Sequence, residues 1–251
     1  MPSSDFLIRD VRIFTGTDVI ENGGVLVKNG RIASVSSSQE TLVDDSVTII
    51  SKPGHTLLPG LIDSHIHADK GNPLALTQAL NFGVTTVCDL HNEPWNVHSL
   101  RALSAKDKSI YASFKSSSLA ATVPGGWPEA VVTLHDHSAE TAAEIAAWPK
   151  LVTKQDVDAY IEARVEDKAD YIKLMHESGA GLKIKLDLPP VALQRQVIEG
   201  AHSKGLVAMA HALAKEATLE MLEAGIDGLT HSFLDAACDE AVLTAYKRHN
   251  A

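Results

Sequence analysis

From Thr56 onward the chain alternates between short apolar runs and longer helical stretches, and this alternation limits the fold more than any other feature. Each apolar run has the length of a strand and is followed by a loop and a segment that suits a helix. Six such units in series predict a parallel sheet with helices outside it, either open or closing toward an eight-stranded barrel. The six strands are expected at 56–67, 83–90, 109–114, 169–175, 206–211 and 226–231.

The helices between these strands have recognisable ends. Thr153 and Asp156 resemble a capping box, which predicts a helix that runs to about residue 167. Gly225 suits the carboxyl end of a helix over 213–224. The remaining helices are expected near 73–82, 94–105, 189–204 and 239–248.

Residues 1–55 follow a different rhythm and are expected to form a separate small β unit. Phe6–Phe14 alternates apolar and polar residues, and Asn29-Gly30 between two apolar-rich runs is a strong hairpin signal. A further strand is expected at 47–50, before Pro53-Gly54. We predict a small antiparallel, β-sandwich-like unit at 1–55 and a larger α/β domain at 56–251.

Composition excludes several classes of protein. The 251 residues carry a net charge of −10, which argues against a nucleic acid or an anionic membrane as partner. The two cysteines imply no disulfide framework, so a reducing, cytoplasmic location is expected. No signal peptide and no membrane-spanning apolar run are recognised. The expected partner is a small-molecule substrate, with a homo-oligomer as a further possibility.

Histidines mark the ends of three predicted strands. His65 and His67 close the apolar run of the first strand, and residues i and i+2 of a strand share a face, so both rings could reach one metal ion. His211 and His231 end strands five and six in the same way. Active sites of β/α barrels lie at this end of the strands. The four histidines together predict a metal site.

Lys173 lies inside the fourth predicted strand, where a lysine is almost never buried without a partner. It could extend to the strand end or pair with a carboxylate such as Glu177. Alternatively, burial and nearby cations lower its pKa, and the neutral amine takes up carbon dioxide to give a carbamate. A carbamate can bridge two metal ions, each with two of the histidines. Such a pair of ions activates water for hydrolysis, and nitrogen with carboxylate-like donors suits zinc.

The order of these parts resembles the amidohydrolase superfamily. An N-terminal strand unit precedes Pro59-Gly-Leu-Ile-Asp-Ser-His-Ile-His67, and Lys173, His211 and His231 follow on later strands. Tyr171-Ile-Lys-Leu-Met-His-Glu-Ser-Gly179 is similar to the binuclear branch with imidazolonepropionase-like and prolidase-like members. The resemblance implies that His65 and His67 bind the more buried metal, Lys173 is the carboxylated bridge, and His211 and His231 bind the second metal.

The chain departs from this pattern at its carboxyl end. The resemblance implies a general-base aspartate at the end of barrel strand eight, but the sequence ends at Ala251, where strand seven would begin. Asp235 and Asp239 are expected to be loop or helix-cap residues, so no catalytic residue is assigned. The expected fold is an incomplete TIM-type (β/α) barrel with about six of eight units, truncated at the carboxyl end.

The expected function is hydrolysis of carbon–nitrogen bonds, of an amide-type, non-peptide or dipeptide-like substrate, by a hydroxide that bridges two divalent ions. The alternatives are an inactive truncated paralogue and a mononuclear metal-dependent deaminase. Lys173 speaks against the deaminase, because one ion needs no bridging carbamate. The polar stretch 116–150 is expected to be a long loop that helps to set the substrate. Two residues are candidate substrate contacts, namely Trp127 in that loop and His176 after strand four. Four further histidines are expected to be ordinary surface or loop residues: His91, His98, His202 and His249.

Overall fold

The computed structural model describes residues 5–37, 43–68 and 71–249. Its internal contacts divide the chain into two compact units, Met1–Leu61 and Ile62–Ala251. The division falls later than the predicted boundary after residue 55, because the short strand Thr56–Leu57 pairs with the first strand of the chain. No described helix is long and apolar enough to cross a bilayer.

The N-terminal unit contains a five-stranded sheet. Its strands are β1 (Phe6–Phe14), β2 (Val19–Lys28), β3 (Arg31–Ser36), β4 (Thr48–Ser51) and β5 (Thr56–Leu57). The order is β3-β2-β1-β4, and β5 pairs with β1 farther along that strand. Asn29 and Gly30 join β2 to β3 with φ angles of 51° and 69°, as a type I′ hairpin turn requires. The predicted hairpin is therefore confirmed.

The expectation of an antiparallel unit is wrong for two of its strands. β1, β2 and β3 are antiparallel, but β4 and β5 both run parallel to β1. The alternation of β1 accounts for the core of this unit, because Leu7, Val11 and Ile13 are buried at alternate or near-alternate positions. Phe6 at the start of β1 pairs with Thr48 at the start of β4, whereas in a hairpin the start of one strand would pair with the end of the other.

The larger unit follows the predicted alternation of strands and helices. Its strands are β6 (Leu61–Ile66), β7 (Val84–Asp89), β8 (Ser113–Ser116), β9 (Ile172–Met175), β10 (Ala208–His211) and β11 (Gly228–Leu229). Its helices are α1 (Leu74–Asn81), α2 (Pro94–Lys106), α3 (Glu129–His135), α4 (Ala139–Ala147), α5 (Lys154–Glu166), α6 (Val191–Ser203), α7 (Lys215–Ala224) and α8 (Glu240–His249). All six predicted helices are present, and each predicted strand has a counterpart. The third strand was expected at 109–114 but lies later, at Ser113–Ser116.

The six strands form two three-stranded sheets, β6-β7-β8 and β9-β10-β11. The chain after β8 connects them, since Ala121 lies beside Leu174 in a parallel bridge. The Ala121 N–H donates to the Lys173 carbonyl at 2.8 Å, and the Ala121 carbonyl accepts from the Met175 N–H at 3.0 Å. The result is a partial TIM-type barrel whose strand ends carry the candidate site.

Two features of the first barrel strand differ from the prediction. A single buried strand was expected over 56–67, but the chain is interrupted at Pro59-Gly60, because proline has no N–H to donate to a ladder. The strand is also exposed rather than buried, with Leu61 53% and Ile62 65% accessible. Among the described residues β6 has β7 as its one neighbour in the sheet.

The prediction that the stretch 116–150 is a long loop is wrong, because the stretch contains α3 and α4. Ser138 caps α4 by accepting the Thr141 N–H at 3.1 Å, and the alanine-rich sequence that follows is a strong helix former. The glycines and prolines of 124–128 form the turn before α3. They are typical of a loop, so the sequence pattern did not predict the two helices that follow.

Helix ends explain where the remaining helices begin and end. The capping box at α5 is confirmed, with Thr153 accepting from the Asp156 N–H and Asp156 accepting from the Thr153 N–H. α7 ends at Gly225, whose φ of 93° favours glycine. The larger core packs α5, α6 and α7 against β9 and β10, and it includes Ile172, Leu174 and Leu222 at 0% exposure.

Candidate metal centre

Four histidines meet at the carboxyl ends of the barrel strands. His65 lies in β6, His67 directly after it, His211 ends β10, and His231 follows β11. The ring centroids are 5.1 Å apart for His65 and His67, 4.7 Å for His65 and His231, and 4.7 Å for His211 and His231. The structure therefore brings together all four histidines that the sequence singled out.

The pair from the first strand has the spacing of two ligands of one ion. His65 Nε2 and His67 Nε2 are 3.3 Å apart. Two nitrogens bound at 2.0–2.1 Å to a tetrahedral zinc ion are separated by about 3.3–3.4 Å, so the spacing of the two nitrogens matches that of two ligands of such an ion. Within the described residues, no three His, Cys, Asp or Glu side chains form a ligand set by themselves.

Lys173 is the fifth residue that the sequence singled out for this site. It lies in β9 with 1% exposure and lines the same cavity as the four histidines. Burial lowers its pKa from 10.5 to about 7, so much of the amine is neutral near neutral pH. Its Nζ donates to Thr230 Oγ1 at 2.6 Å. The alternative partner Glu177 is otherwise engaged, since its oxygens accept the N–H groups of Gly179 and Leu213.

The histidines are held in the neutral form that metal binding requires. Burial, together with the neighbouring rings and Lys173, lowers the pKa of His65 and of His231 to about 4. Burial also lowers the pKa of His67 and of His211, where Glu177 acts in the opposite direction. His211 Nε2 is buried without a hydrogen-bond partner and lies 3.5 Å from Glu177 Oε2. A metal ion would satisfy this nitrogen.

A buried polar network holds the chain just after His67, and sequence inspection missed it. Asp89 accepts the Ala68 N–H at 2.8 Å, and the side-chain amides of Asn92 and Asn96 both donate to the Ala68 carbonyl at 2.7 Å. Asp89 also accepts from Asn92 at 2.8 Å. In the sequence these residues resemble those of an ordinary polar loop. Only the fold shows that they hold the chain just after His67 in place.

The prediction that His91 is an ordinary surface or loop residue is wrong. Its ring lines the cavity and meets the Trp148 ring edge to face, with centroids 4.7 Å apart. Its Nδ1 accepts the Ala120 N–H at 3.1 Å, so the proton of the neutral ring is on Nε2, which is shielded from solvent. Burial lowers the pKa of His91 to about 3 and keeps the ring neutral.

The two predicted substrate contacts have different positions. Trp127 lines the cavity and stacks on His211, with centroids 4.9 Å apart and planes 20° from parallel. His176 is fully buried, does not line the cavity, and has its Nε2 2.7 Å from Glu220 Oε2. The structure therefore places Trp127 at the site and His176 away from it.

The cavity above the histidines has a volume of about 680 Å³, which is the size of a small-molecule site. One wall comes from the segment 127–148, where Pro128, Val131, Val132 and Trp148 are apolar. Leu182 and Leu213 complete the apolar surface. The stretch expected to be a loop is thus a helical wall of the cavity.

Comparison with solved structures supports this architecture. The chain superposes on phenylurea hydrolase B with a TM-score of 0.80 at 18% identity, covering 99% of this chain and 64% of that one. It superposes on a putative prolidase from Bifidobacterium longum with a TM-score of 0.72 at 21% identity, covering 98% of this chain and 58% of that one. These likenesses establish the fold.

Curated relatives match over a smaller part of their own length. An adenine deaminase from Chelativorans sp. (strain BNC1) is 26% identical over 231 residues, which is 88% of this chain and 38% of that protein. An N-acetylglucosamine-6-phosphate deacetylase from Bacillus subtilis (strain 168) is 38% identical over 69 residues, or 28% of this chain and 17% of that protein. The chain thus spans well under half of these relatives. The profile of the amidohydrolase family matches residues 56–250, and the chain belongs to that family.

Proposed function

We propose that this chain carries the metal-binding part of a metal-dependent hydrolase that cleaves carbon–nitrogen bonds in a small molecule. The observation that carries the proposal is the meeting of four neutral histidines and one buried lysine at the strand ends of one cavity. The amidohydrolase family and the hydrolases among the relatives support the same class of reaction.

In this proposal the two pairs of histidines serve two divalent ions, with zinc as the expected ion. His65 and His67 hold one ion, as their Nε2 spacing of 3.3 Å supports. His211 and His231 hold the other, and their ring centroids, 4.7 Å apart, support this. The ions, when bound, supply Lewis-acid polarisation of a carbonyl and a water of lowered pKa.

Lys173 joins the two pairs. Its neutral amine attacks carbon dioxide, forms a nitrogen–carbon bond and releases one proton to solvent, which leaves a carbamate with two donor oxygens. The pKa of about 7 makes enough neutral amine available near neutral pH. Thr230 Oγ1, at 2.6 Å from Nζ, holds that nitrogen in place.

Of the two candidate substrate contacts, one has a role in this proposal. Trp127 stacks on His211 and presents an apolar face to a substrate. His176 takes no part in this proposal, because it is buried beside Glu220 outside the cavity. No residue of this chain is assigned as the general base.

A second candidate is a deaminase, because the sequence relatives include several adenine deaminases at 26–30% identity. Deamination of adenine is also hydrolysis of a carbon–nitrogen bond, and in this candidate the same four histidines bind the metal. The two candidates differ in product, since one releases an organic amine and the other releases ammonia.

The test is turnover by metal-free and zinc-reconstituted protein on N-acyl amino acids, aryl ureas and adenine, with bicarbonate present. We expect zinc-dependent release of an amine or of ammonia, and its loss in Lys173→Met. His98→Asn, an exposed change in α2, is the matched control and keeps activity. A folded sample that binds zinc without turnover would instead support the inactive alternative, and turnover that persists after chelation would contradict a metal-dependent reaction.

A further inference from the structure

Thr230 is in contact with several parts of the candidate metal centre. It directly follows β11 and precedes His231. Its hydroxyl oxygen accepts from Lys173 Nζ at 2.6 Å and donates to the Ala210 carbonyl at 3.2 Å. Its N–H donates to the same carbonyl at 2.9 Å, which continues the pairing of β11 with β10. The sheet therefore sets the position of this hydroxyl beside the lysine.

The direction of these hydrogen bonds follows from the number of protons. A threonine hydroxyl has one proton, and the Ala210 carbonyl can only accept, so the bond between them uses that proton. The lone pairs of the hydroxyl oxygen then face Lys173 Nζ, which is the donor of the second bond. A carbamate requires this direction, because its nitrogen shares its lone pair with the carboxyl group and can only donate. A free neutral amine could donate or accept.

The same hydrogen bond limits how a carbamate on Lys173 can be oriented. Attack of the amine nitrogen on carbon dioxide forms a nitrogen–carbon bond and releases one proton to solvent, so one N–H remains. Resonance keeps this N–H, the carbon and both oxygens in one plane, as in a peptide bond. Donation of the N–H to Thr230 Oγ1 therefore restricts rotation about the Cε–Nζ bond, and with it the direction of both oxygens.

The main chain of Thr230 orients one of the histidines. His65 Nδ1 lies 3.4 Å from the Thr230 carbonyl oxygen. Because a carbonyl can only accept, the neutral ring carries its proton on Nδ1 and keeps the lone pair of Nε2 free for a metal ion. That Nε2 is the atom 3.3 Å from His67 Nε2. Thr230 thus contacts Lys173 through its hydroxyl and His65 through its carbonyl.

We propose that Thr230 is a positioning residue, whose hydroxyl accepts the N–H of the Lys173 carbamate and holds its plane in one orientation for the two ions. This role rests on the proposed function and adds the residue that orients the bridge. A purely structural hydroxyl would satisfy the lysine nitrogen without any effect on carboxylation. Substitutions separate the two roles, because each of them removes the hydroxyl but keeps the carbonyl that contacts His65.

The test is reconstitution of metal-free protein with zinc at graded concentrations of isotope-labelled bicarbonate, after preparation in carbon-dioxide-free buffer. Carbon NMR measures the labelled carbamate, and metal analysis measures the bound zinc. Thr230→Val keeps the branched shape of the side chain and removes the hydroxyl. We expect it to need about tenfold more bicarbonate than wild type for half of the carbamate signal and of the second zinc equivalent, because the carbamate N–H loses its acceptor. Saturating bicarbonate should restore both, since the metal ligands are unchanged.

Three further variants complete the comparison. Thr230→Ser retains a hydroxyl and should follow wild type, whereas Thr230→Ala lacks it and should show the same shift as Thr230→Val. Thr218→Val is the matched control. Thr218 is a fully buried threonine of α7 outside the cavity lining, and its Oγ1 has no hydrogen-bond partner among the described residues. The same substitution there should leave the bicarbonate dependence unchanged.

The proposed role of Thr230 would be overturned by hydroxyl-free variants that need no more bicarbonate than wild type. Equal shifts in Thr230→Ser and Thr230→Val, or in Thr218→Val and Thr230→Val, would also overturn it, because the effect would then not depend on this hydroxyl. A folded wild-type protein that shows neither the carbamate nor a second zinc equivalent would contradict the proposed function itself, and this role with it. The wild-type result therefore distinguishes the two failures.

Discussion

Replacement of Lys173 by methionine should change how the stability of the metal-free protein depends on pH. Lys173 is 1% exposed in β9, and methionine keeps an unbranched stem while removing the amine. Burial lowers the lysine pKa from 10.5 to about 7. Between these two values the unfolded chain binds more protons than the folded one, so the wild-type protein becomes more stable as pH rises.

The size of the effect follows from the two pKa values. The interval between 10.5 and about 7 corresponds to about 5 kcal/mol in total, at 1.36 kcal/mol per pKa unit. Between pH 6 and pH 9 the wild-type protein should gain about 2–3 kcal/mol relative to Lys173→Met. His65 and His231, whose pKa values are about 4 in the folded protein, also add stability between pH 6 and about pH 7.5, because histidines of the unfolded chain still bind protons there. Both proteins contain these histidines, so the difference between wild type and Lys173→Met reports mainly on Lys173.

The assay is urea unfolding at several pH values, with a chelator and carbon-dioxide-free buffer so that neither metal nor carbamate forms. Tryptophan fluorescence is the appropriate probe, because all three tryptophans lie in the larger unit. Lys106→Met, at an exposed position in the last turn of α2, is the control and should follow the wild-type protein at every pH. A difference between wild type and Lys173→Met that stays constant from pH 6 to pH 9 would refute the reasoning.

Two further substitutions test the surroundings of the site by chemical denaturation. Asp89→Ala leaves the Ala68 N–H and the Asn92 amide without their buried acceptor, so we expect the free energy of unfolding to fall by about 2–4 kcal/mol. A fall below about 1 kcal/mol would mean that this network does not hold the chain just after His67. Leu222→Ala removes a fully buried side chain from α7 and should lower the free energy of unfolding by about 2–5 kcal/mol. Leu243→Ala, at a position in α8 that is 45% exposed, should lower it by less than about 1 kcal/mol. Equal losses would contradict the packing described for this core.

The residues of the candidate metal centre were predictable because they obey simple rules of strand geometry. His65 and His67 share a face at a spacing of two, and His211 and His231 end apolar runs, so parallel strands bring them to one edge. Lys173 was recognisable because a lysine within an apolar strand is unusual. These residues were identified without knowledge of the chain between them.

The walls of the cavity were not predictable in the same way. The helices α3 and α4 lie in a stretch rich in glycine, proline and polar residues, and local pattern alone favoured a loop. His91 follows a strand that carries no other site signal, and its position at the cavity depends on the Ala120 N–H from a distant loop. The direction of β4 and β5 also depends on tertiary pairing rather than on local sequence.

In the proposed function two divalent ions are held together by five residues, namely His65, His67, Lys173, His211 and His231. The direct measurement is metal content after reconstitution with zinc and bicarbonate and removal of excess metal, for wild type, Lys173→Met and the exposed control His98→Asn. We predict two equivalents of zinc for wild type and His98→Asn, and no more than one for Lys173→Met. Folded wild-type protein without bound zinc, or a Lys173→Met variant that retains both equivalents, would contradict the claim.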